Sequence, residues 1–306
     1  MKILVTGSSG TIGTRLCEAL LEKEHKVAGA DWKPNRWNSD IDKLTVNIDL
    51  RDADKLKAES YKLQADMVIH LAANARVYDL VLHPDRAMDN FQTTFNVLEF
   101  ARVHGIRKCI FASSRETYGN ISVGNGTYTE DKAHFMHCES PYTASKIGGE
   151  ALVEAYKRCY GIDAVIFRFS NVYGAYDDSE RVVPLFFHRA KAGEPLAVFG
   201  KKKCLDFTYI DDCVDGIILA VEKFDQAKND TYNIAYGEGV TILHLAERVK
   251  ELLGSSSAID VRESRTGEIT RFVADIGKAR TKLGFTPKVP FEEGIKRAVE
   301  WYDRHC

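Results

Sequence analysis

The chain has 306 residues, 44% of them hydrophobic and 28% charged, with a formal net charge of −2. That length suits one large α/β unit or two domains, and the near-neutral balance offers no electrostatic footprint for nucleic acid or an anionic membrane. No apolar run approaches the roughly 18 residues of a membrane span, and "MKILVTGSSG" enters structure without a charged lead or a cleavable apolar core. The seven cysteines are odd in number, scattered and free of C-x-x-C spacing. They read as reduced thiols in a cytoplasmic protein, with no zinc site.

Strands are expected at Lys2–Thr6, Lys26–Ala30, Leu44–Asn47, Met67–Leu71, Lys108–Ala112 and Ala164–Phe169. These runs are almost wholly apolar, as in a parallel sheet covered on both faces. Helical spacing fills the gaps. "RLCEALLEKEH" places Leu16, Ala19 and Leu20 on one side, "NFQTTFNVLEFARVHG" stops at Gly105, and "SPYTASKIGGEALVEAYKRCYG" stops at Gly161. This β-α-β alternation predicts a doubly wound parallel (Rossmann) α/β sheet with right-handed crossovers. Beyond residue 171 the pattern loosens. The expected division is a dinucleotide-binding domain over residues 1–171, with 207–235 returning to it. Residues 172–206 and 236–306 would then form a smaller mixed α/β substrate-binding lobe.

The first strand runs into "TGSSGTIGT", where Gly7, Gly10 and Gly13 form a G-x-x-G-x-x-G pattern ahead of a helix. The first glycine permits the tight turn, the second lets backbone amides approach a pyrophosphate, and the third lets the helix pack closely on the strand. Thr11 and Ile12 belong to the same phosphate-facing turn. The second strand ends at Asp31, whose carboxylate can accept ribose hydroxyls and would repel a 2′-phosphate. NAD is therefore expected over NADP. Asp49 and Leu50 follow the third strand, where an adenine would lie; a plain strand-end turn explains that pair equally well. Leu71, Ala72 and Ala73 end the fourth strand with small side chains that let a cofactor lie against the backbone. His70 reads as a packed strand residue.

"SPYTASK" holds Tyr142 and Lys146 four residues apart, hence on one helix face. A tyrosine with a pKa near 10 is a poor base at neutral pH. A neighbouring ammonium and a positive nicotinamide ring would favour the phenolate; a drop of ~3 units needs ~4 kcal/mol of differential stabilisation. Just upstream, "FASSRETYGN" (Phe111–Asn120) crowds Ser113, Ser114, Arg115, Glu116 and Tyr118 into one strand end.

In this order, "TGSSGTIG", Asp31, "HLAA", Asn90 in "NFQTTFNVLE", "SSRETYG", "YTASK" and "RFSNVYG" resemble the extended short-chain dehydrogenase/reductase family. The resemblance leans to nucleotide-sugar 4-epimerases of the UDP-glucose/UDP-galactose type and runs through the closing "GFTPKVPFEEGIKRAVEWY". It implies that Tyr142 takes the proton from a sugar hydroxyl, that Ser114 bonds the same oxygen, and that Lys146 holds the nicotinamide ribose. Hydride would pass to tightly bound NAD and return to the other face of a 4-keto sugar, with no metal needed. The resemblance adds Asn90 to the cofactor contacts. It gives Asn171 and Arg265 the substrate diphosphate, and implies a homodimer through the helices around Asn90–Val103 and Tyr142–Tyr160.

Two positions depart from the family pattern. Leu205 stands where an arginine usually precedes Asp-Phe, so one phosphate contact is missing or moved. Lys201, Lys202, Lys203, Arg76 and Arg181 are candidates to supply its charge. Glu116 matches a glutamate that some sugar dehydratases and a decarboxylase use, but Arg115 replaces the second acid of the two-carboxylate dehydratases. A nucleotide-sugar 4,6-dehydratase or decarboxylase using Glu116 is thus the alternative, with a non-catalytic NAD-binding regulator as the reading from another class.

Overall fold

The computed structural model describes residues 1–123 and 126–306. Seven strands form the main sheet: β1 (Lys2–Thr6), β2 (Lys26–Asp31), β3 (Thr45–Asn47), β4 (Met67–His70), β5 (Lys108–Ser114), β6 (Asp163–Phe169) and β10 (Asp230–Ile234). Their order is β10-β6-β5-β4-β1-β2-β3, all parallel. The chain leaves β1 in opposite directions, towards β2 on one side and β4 on the other. That reversal opens a crevice at the carboxyl ends of β1 and β4, where such sheets bind ligands.

Alternate strand residues feed opposite faces. Leu4, Val68, Cys109 and Phe111 join Val97, Leu98 and Phe100 of α5 (Asp85–Val103) and Val153 and Tyr156 of α6 (Pro141–Tyr160) in one cluster. Ile3, Val5, Met67, Ile69, Ile110 and Val165 join Leu16 and Leu20 of α1 (Thr11–Glu22) and Ile217 and Val221 of α8 (Ile210–Glu222) in the other. Both faces are dry, which is why the strands read as continuous apolar runs.

Strand boundaries shift for local reasons. The expected strand at Leu44 starts one residue later, because Leu44 ends the short helix α2 (Ser39–Leu44), capped by the Asn38 side chain on the amides of Asp40 and Ile41. β5 runs two residues past its apolar stretch, since Ser113 and Ser114 still pair with Arg168 and Phe169 of β6. That extension carries Ser114 to the crevice.

The remaining strands build the second region: β7 (Asn171–Tyr173), β9 (Cys204–Tyr209), β11 (Gly239–Thr241) and β13 (Arg271–Phe272) in one sheet, β8 (Leu196–Phe199) and β12 (Ile259–Arg262) in another. Of the segment 207–235 expected to return to the main sheet, only β10 contributes a strand there. Phe207–Tyr209 finish β9, paired with β7 in the smaller sheet. Helices α7 (Val182–Lys191), α10 (Ile242–Leu253) and α12 (Phe291–His305) cover this region. Trp37 and Trp301 meet edge to face at 5.0 Å and join Tyr176 in an aromatic seam between the two regions.

Candidate active site

A cavity of about 780 Å³ opens at the crevice. Gly7, Gly10, Thr11, Ile12, Gly13, Asp31, Asp49, Leu50, Leu71, Ala72, Ala73 and Asn90 line one end of it. Ser114, Glu116, Tyr142, Lys146, Asn171 and Arg265 line the rest. These residues thus reach one concavity, whereas the candidate lysines Lys201 and Lys202 do not line it.

The phosphate turn is tight because its glycines touch backbone. Gly7 has φ +74°, and a Cβ there would stand 2.8 Å from the Ala72 nitrogen; one on Gly13 would stand 1.9 Å from the Gly7 carbonyl oxygen. Neither clash can be relieved by rotating a side chain. The N-terminus of α1 has no side-chain cap, so its amides and positive dipole end remain available to an anion. Ser9 Oγ lacks a hydrogen-bond partner among the described residues. The turn therefore fits a dinucleotide pyrophosphate. Asp31 accepts the amides of Ser9 and Lys33, both at 3.0 Å, and each carboxylate oxygen keeps a lone pair for a ribose hydroxyl. Burial pushes this carboxyl upward, against the opposing backbone amides. Trp32 follows it on the cavity rim, 58% exposed.

Two cofactor-side residues are already engaged by the protein. Asp49 is gripped by Arg51, which holds its carboxyl below the usual range and also reaches Asp89 at 2.9 Å. Asn90 accepts the Asn74 amide at 2.7 Å and donates to the Asn74 carbonyl and to Ser145 Oγ. It acts on the cavity by fixing the chain after β4. His70 lies between Thr6 and Thr94 hydroxyls, with its pKa lowered by burial to about 3. It is a packed neutral strand residue.

Tyr142 and Lys146 are placed by the start of α6. Ser140 caps the helix by accepting the Thr143 amide at 3.2 Å, and Pro141 takes its first position. Lys146 Nζ donates to the Ala112 carbonyl at 2.7 Å and lies 5.9 Å from the Tyr142 ring centroid. Burial lowers the lysine to about 8, opposed by Glu150. Burial raises the Tyr142 phenol above 10; the Ser114 hydroxyl, Arg181 and Arg115 act against that rise, while Glu116 adds to it. Behind this pair, Arg168 grips Glu150 in bidentate fashion at 2.7 and 2.9 Å, and Ser113 donates to Glu150.

The opposite wall is charged. Arg115 bonds Glu116 at 2.9 Å and Asn171 at 3.2 Å, and Asn171 donates to the Asp206 carbonyl. Both polar ends of the Asn171 amide are thus held by the protein. Arg265 is sandwiched between Phe199 and Tyr78, 3.7 and 4.5 Å from the ring centroids. Leu205 is buried in β9. Among the neighbouring lysines, Lys203 is no solvated turn residue: it reaches the cavity and bonds Glu268 at 2.7 Å. Arg76 and Arg181 also line the wall, joined by Arg189 and Arg262, which the sequence reading missed. Arg181 precedes α7 and Arg189 lies within it about two turns on, a spacing that could have signalled a shared face.

Away from the cavity, Asp178, His188 and Cys306 bring potential ligand atoms within 4.8 Å of one another. Asp178 is already paired with Arg36 at 2.5 Å and His188 at 3.0 Å.

A glycine-lined dinucleotide turn and a Ser-Tyr-Lys group facing one crevice define a nicotinamide-dependent dehydrogenase scaffold. The chain belongs to the NAD dependent epimerase/dehydratase family, which it matches over residues 3–235. It is similar to the UDP-glucose 4-epimerase of Thermotoga maritima, solved with UDP-glucose (32% identity, 99% of each chain, TM-score 0.91). It is also similar to a dTDP-glucose 4,6-dehydratase of Streptomyces venezuelae, solved with NAD and TDP (29% identity, 100% of this chain and 98% of that one, TM-score 0.90). The UDP-glucuronate 4-epimerase of Thermodesulfobacterium geofontis is 30% identical over 97% of this chain and 95% of its own length. The cofactor is NAD.

Proposed function

We propose that the protein is an NAD-dependent 4-epimerase of a UDP-hexose of the glucose/galactose type, working through a transient 4-keto sugar. The observation that carries this reading is the convergence of Ser114, Tyr142 and Lys146 opposite the glycine turn, with Arg115 in place of a second carboxylic acid. Bound NAD supplies a hydride acceptor and a positively charged ring. Tyr142 Oη is the group that takes and returns the proton of the sugar hydroxyl, and Ser114 Oγ orients the same oxygen. Lys146, tethered to Ala112, is placed to hold the nicotinamide ribose. Asp31 holds the adenosine ribose. Arg265, Lys203 and Arg181 supply positive charge for the diphosphate, compensating for Leu205.

The test is incubation with UDP-, GDP- and dTDP-sugars without added cofactor, read by NMR. Interconversion of C4 epimers is expected; accumulation of a 4-keto-6-deoxy sugar would sink the proposal. That second outcome belongs to a 4,6-dehydratase or decarboxylase reading, which one observation favours: Glu116 is buried at the cavity with Oε2 unpartnered, and burial raises its carboxyl pKa. A non-catalytic NAD-binding regulator would have no use for the catalytic trio, and predicts that Tyr142→Phe changes nothing.

A homodimer accords with α5 and α6 lying side by side while Met88, Phe91 and Phe95, three and four residues apart, stay exposed on α5. A cytoplasmic site of action accords with seven unpaired cysteines.

A further inference from the structure

Asp178, His188 and Cys306 come from three separate places in the chain: the loop after β7, helix α7 and the residue that follows α12. Each offers one ligand atom, and the three atoms lie within 4.8 Å of one another. Asp178 and His188 are half-buried and Cys306 is exposed. The Asp178 carboxylate is divided between two partners. Its Oδ2 accepts from the Arg36 guanidinium at 2.5 Å, and its Oδ1 faces His188 Nε2 at 3.0 Å. Arg36 in turn lies over the Trp37 ring, 4.2 Å from its centroid, beside the aromatic seam between the two regions. None of the three residues lines the cavity, but Asp177, Ser179 and Arg181, on either side of Asp178, do.

We propose that Asp178, His188 and Cys306 bind a divalent ion of the zinc class, which clasps the loop of residues 174–181 to α7 and to the end of α12. The inference does not depend on the sugar-nucleotide reading above. The donor set decides the metal. A thiolate with an imidazole suits zinc or cobalt, whereas magnesium and calcium take oxygen ligands. The geometry is close to what such an ion needs. A tetrahedral ion with bonds of about 2.0–2.3 Å holds its ligand atoms roughly 3.3–3.7 Å apart. Asp178 and His188 already stand at nearly that separation. Cys306 is exposed, so rotation about χ1 brings its thiol the remaining distance. Water takes the fourth position. The bond from Arg36 does not block the site, because a carboxylate has about four lone-pair positions. Ligating carboxylates are ordinarily hydrogen-bonded from behind, and Arg36 on Oδ2 is placed to do that while Oδ1 meets the metal. The other cation facing Cys306 is Lys191, whose charge is answered by Asp303 at 2.8 Å. No short spacing of cysteines or histidines marks this site in the chain, since its ligands meet only on folding. The competing description, a simple ion pair of Asp178 with a protonated His188, gives Cys306 no part.

The experiment titrates the untagged full chain, carrying NAD and freed of metal by a chelator, with cobalt chloride and with zinc chloride. Cobalt is read by absorption, zinc by calorimetry and thermal melts. Wild type is expected to bind a single ion per chain with a micromolar or tighter Kd. It should show a thiolate-to-cobalt charge-transfer band in the near ultraviolet and melt at a higher temperature with zinc present. Cys306→Ser is expected to lose that band. Cys306→Ser, His188→Ala and Asp178→Asn should each weaken zinc binding about tenfold or more, while Cys159→Ser, at another exposed cysteine, leaves it unchanged. Circular dichroism in the presence of chelator checks that each variant keeps the wild-type fold. Cys306 is exposed, so Cys306→Ser decides the matter by itself should either of the other two fail to fold. Absence of a stoichiometric ion in wild type overturns the inference, as does a charge-transfer band that survives Cys306→Ser. So does a zinc affinity untouched by His188→Ala or Asp178→Asn in folded protein, since the thiol would then be binding metal without them.

Discussion

Against the cofactor, the cavity presents backbone and small side chains: Gly7, Gly10, Ala72 and Ala73 from two adjacent strand ends. On the side proposed for the sugar nucleotide it presents long charged side chains held by partners: Arg115 on Glu116, Lys203 on Glu268, Arg76 on Glu180, Arg265 between two rings. A dinucleotide is the same molecule in every member of such a family, so a wall of fixed backbone suits it. The sugar wall has to tell close relatives apart, and paired charges make each mismatch costly by leaving a partner bare.

Tyr142 stands where the two walls meet, and its loss should have the largest effect. Tyr142→Phe is predicted to lower kcat by about 10²- to 10⁴-fold while NAD and sugar nucleotide still bind, measured by turnover alongside calorimetry. Retained turnover would remove the junction from the comparison altogether. Next is Lys146, whose charge is disfavoured by burial. Its pKa is about 8 when folded, against 10.5 for an ordinary lysine. Below pH 8 the folded protein bears the whole cost of burying that charge. Between about 8 and 10.5 the folded state sheds the proton while the unfolded chain keeps it, so this group makes stability rise with pH. Thermal melts across that window should show the rise in wild type and lose that component in Lys146→Met.

A crossed pair of substitutions tests whether the walls act separately. Asp31→Ala should weaken NAD binding by about 10- to 150-fold, the worth of a hydrogen bond to a charged group, with little change for the sugar nucleotide. Arg265→Ala should do the reverse, over the same range. Calorimetry on both variants would break the comparison if each substitution weakened both ligands alike. The smallest expected effect belongs to neither wall. Ser140→Ala removes the cap of α6 and should cost about 1 kcal/mol in denaturant unfolding without altering ligand preference.

The glycine turn and Asp31 of the proposed cofactor wall were legible because each is a local feature. A strand end, a glycine spacing and an acid some twenty residues on are all contiguous features, and the main-sheet strands declared themselves by being buried on both faces. The sugar wall resisted for the opposite reason. Nothing near Arg262 in the chain reveals that β12 turns it into the cavity, and Arg189 is signalled only by its spacing from Arg181. Lys203 looked like part of a solvated run because its partner, Glu268, lies 65 residues away. The engagement of Asn90 and Asn171 by neighbouring backbone and side chains was equally invisible, since it depends on segments that only the folded chain brings together. The pairing of β9 with β7 and of β10 with β6 was likewise not written in either strand, since both mix polar and apolar residues.

Trp32 sits at the rim beside Asp31, while Trp37 and Trp301 are locked against each other at 5.0 Å in the seam behind. The protein therefore carries its own optical label. Two of its three indoles give a steady background. The third faces water at the mouth of the dinucleotide wall, where an arriving adenosine changes its surroundings and a reduced nicotinamide absorbs in the range where indole emits. Cofactor occupancy and its redox state can then be followed on the unmodified chain, through a single residue.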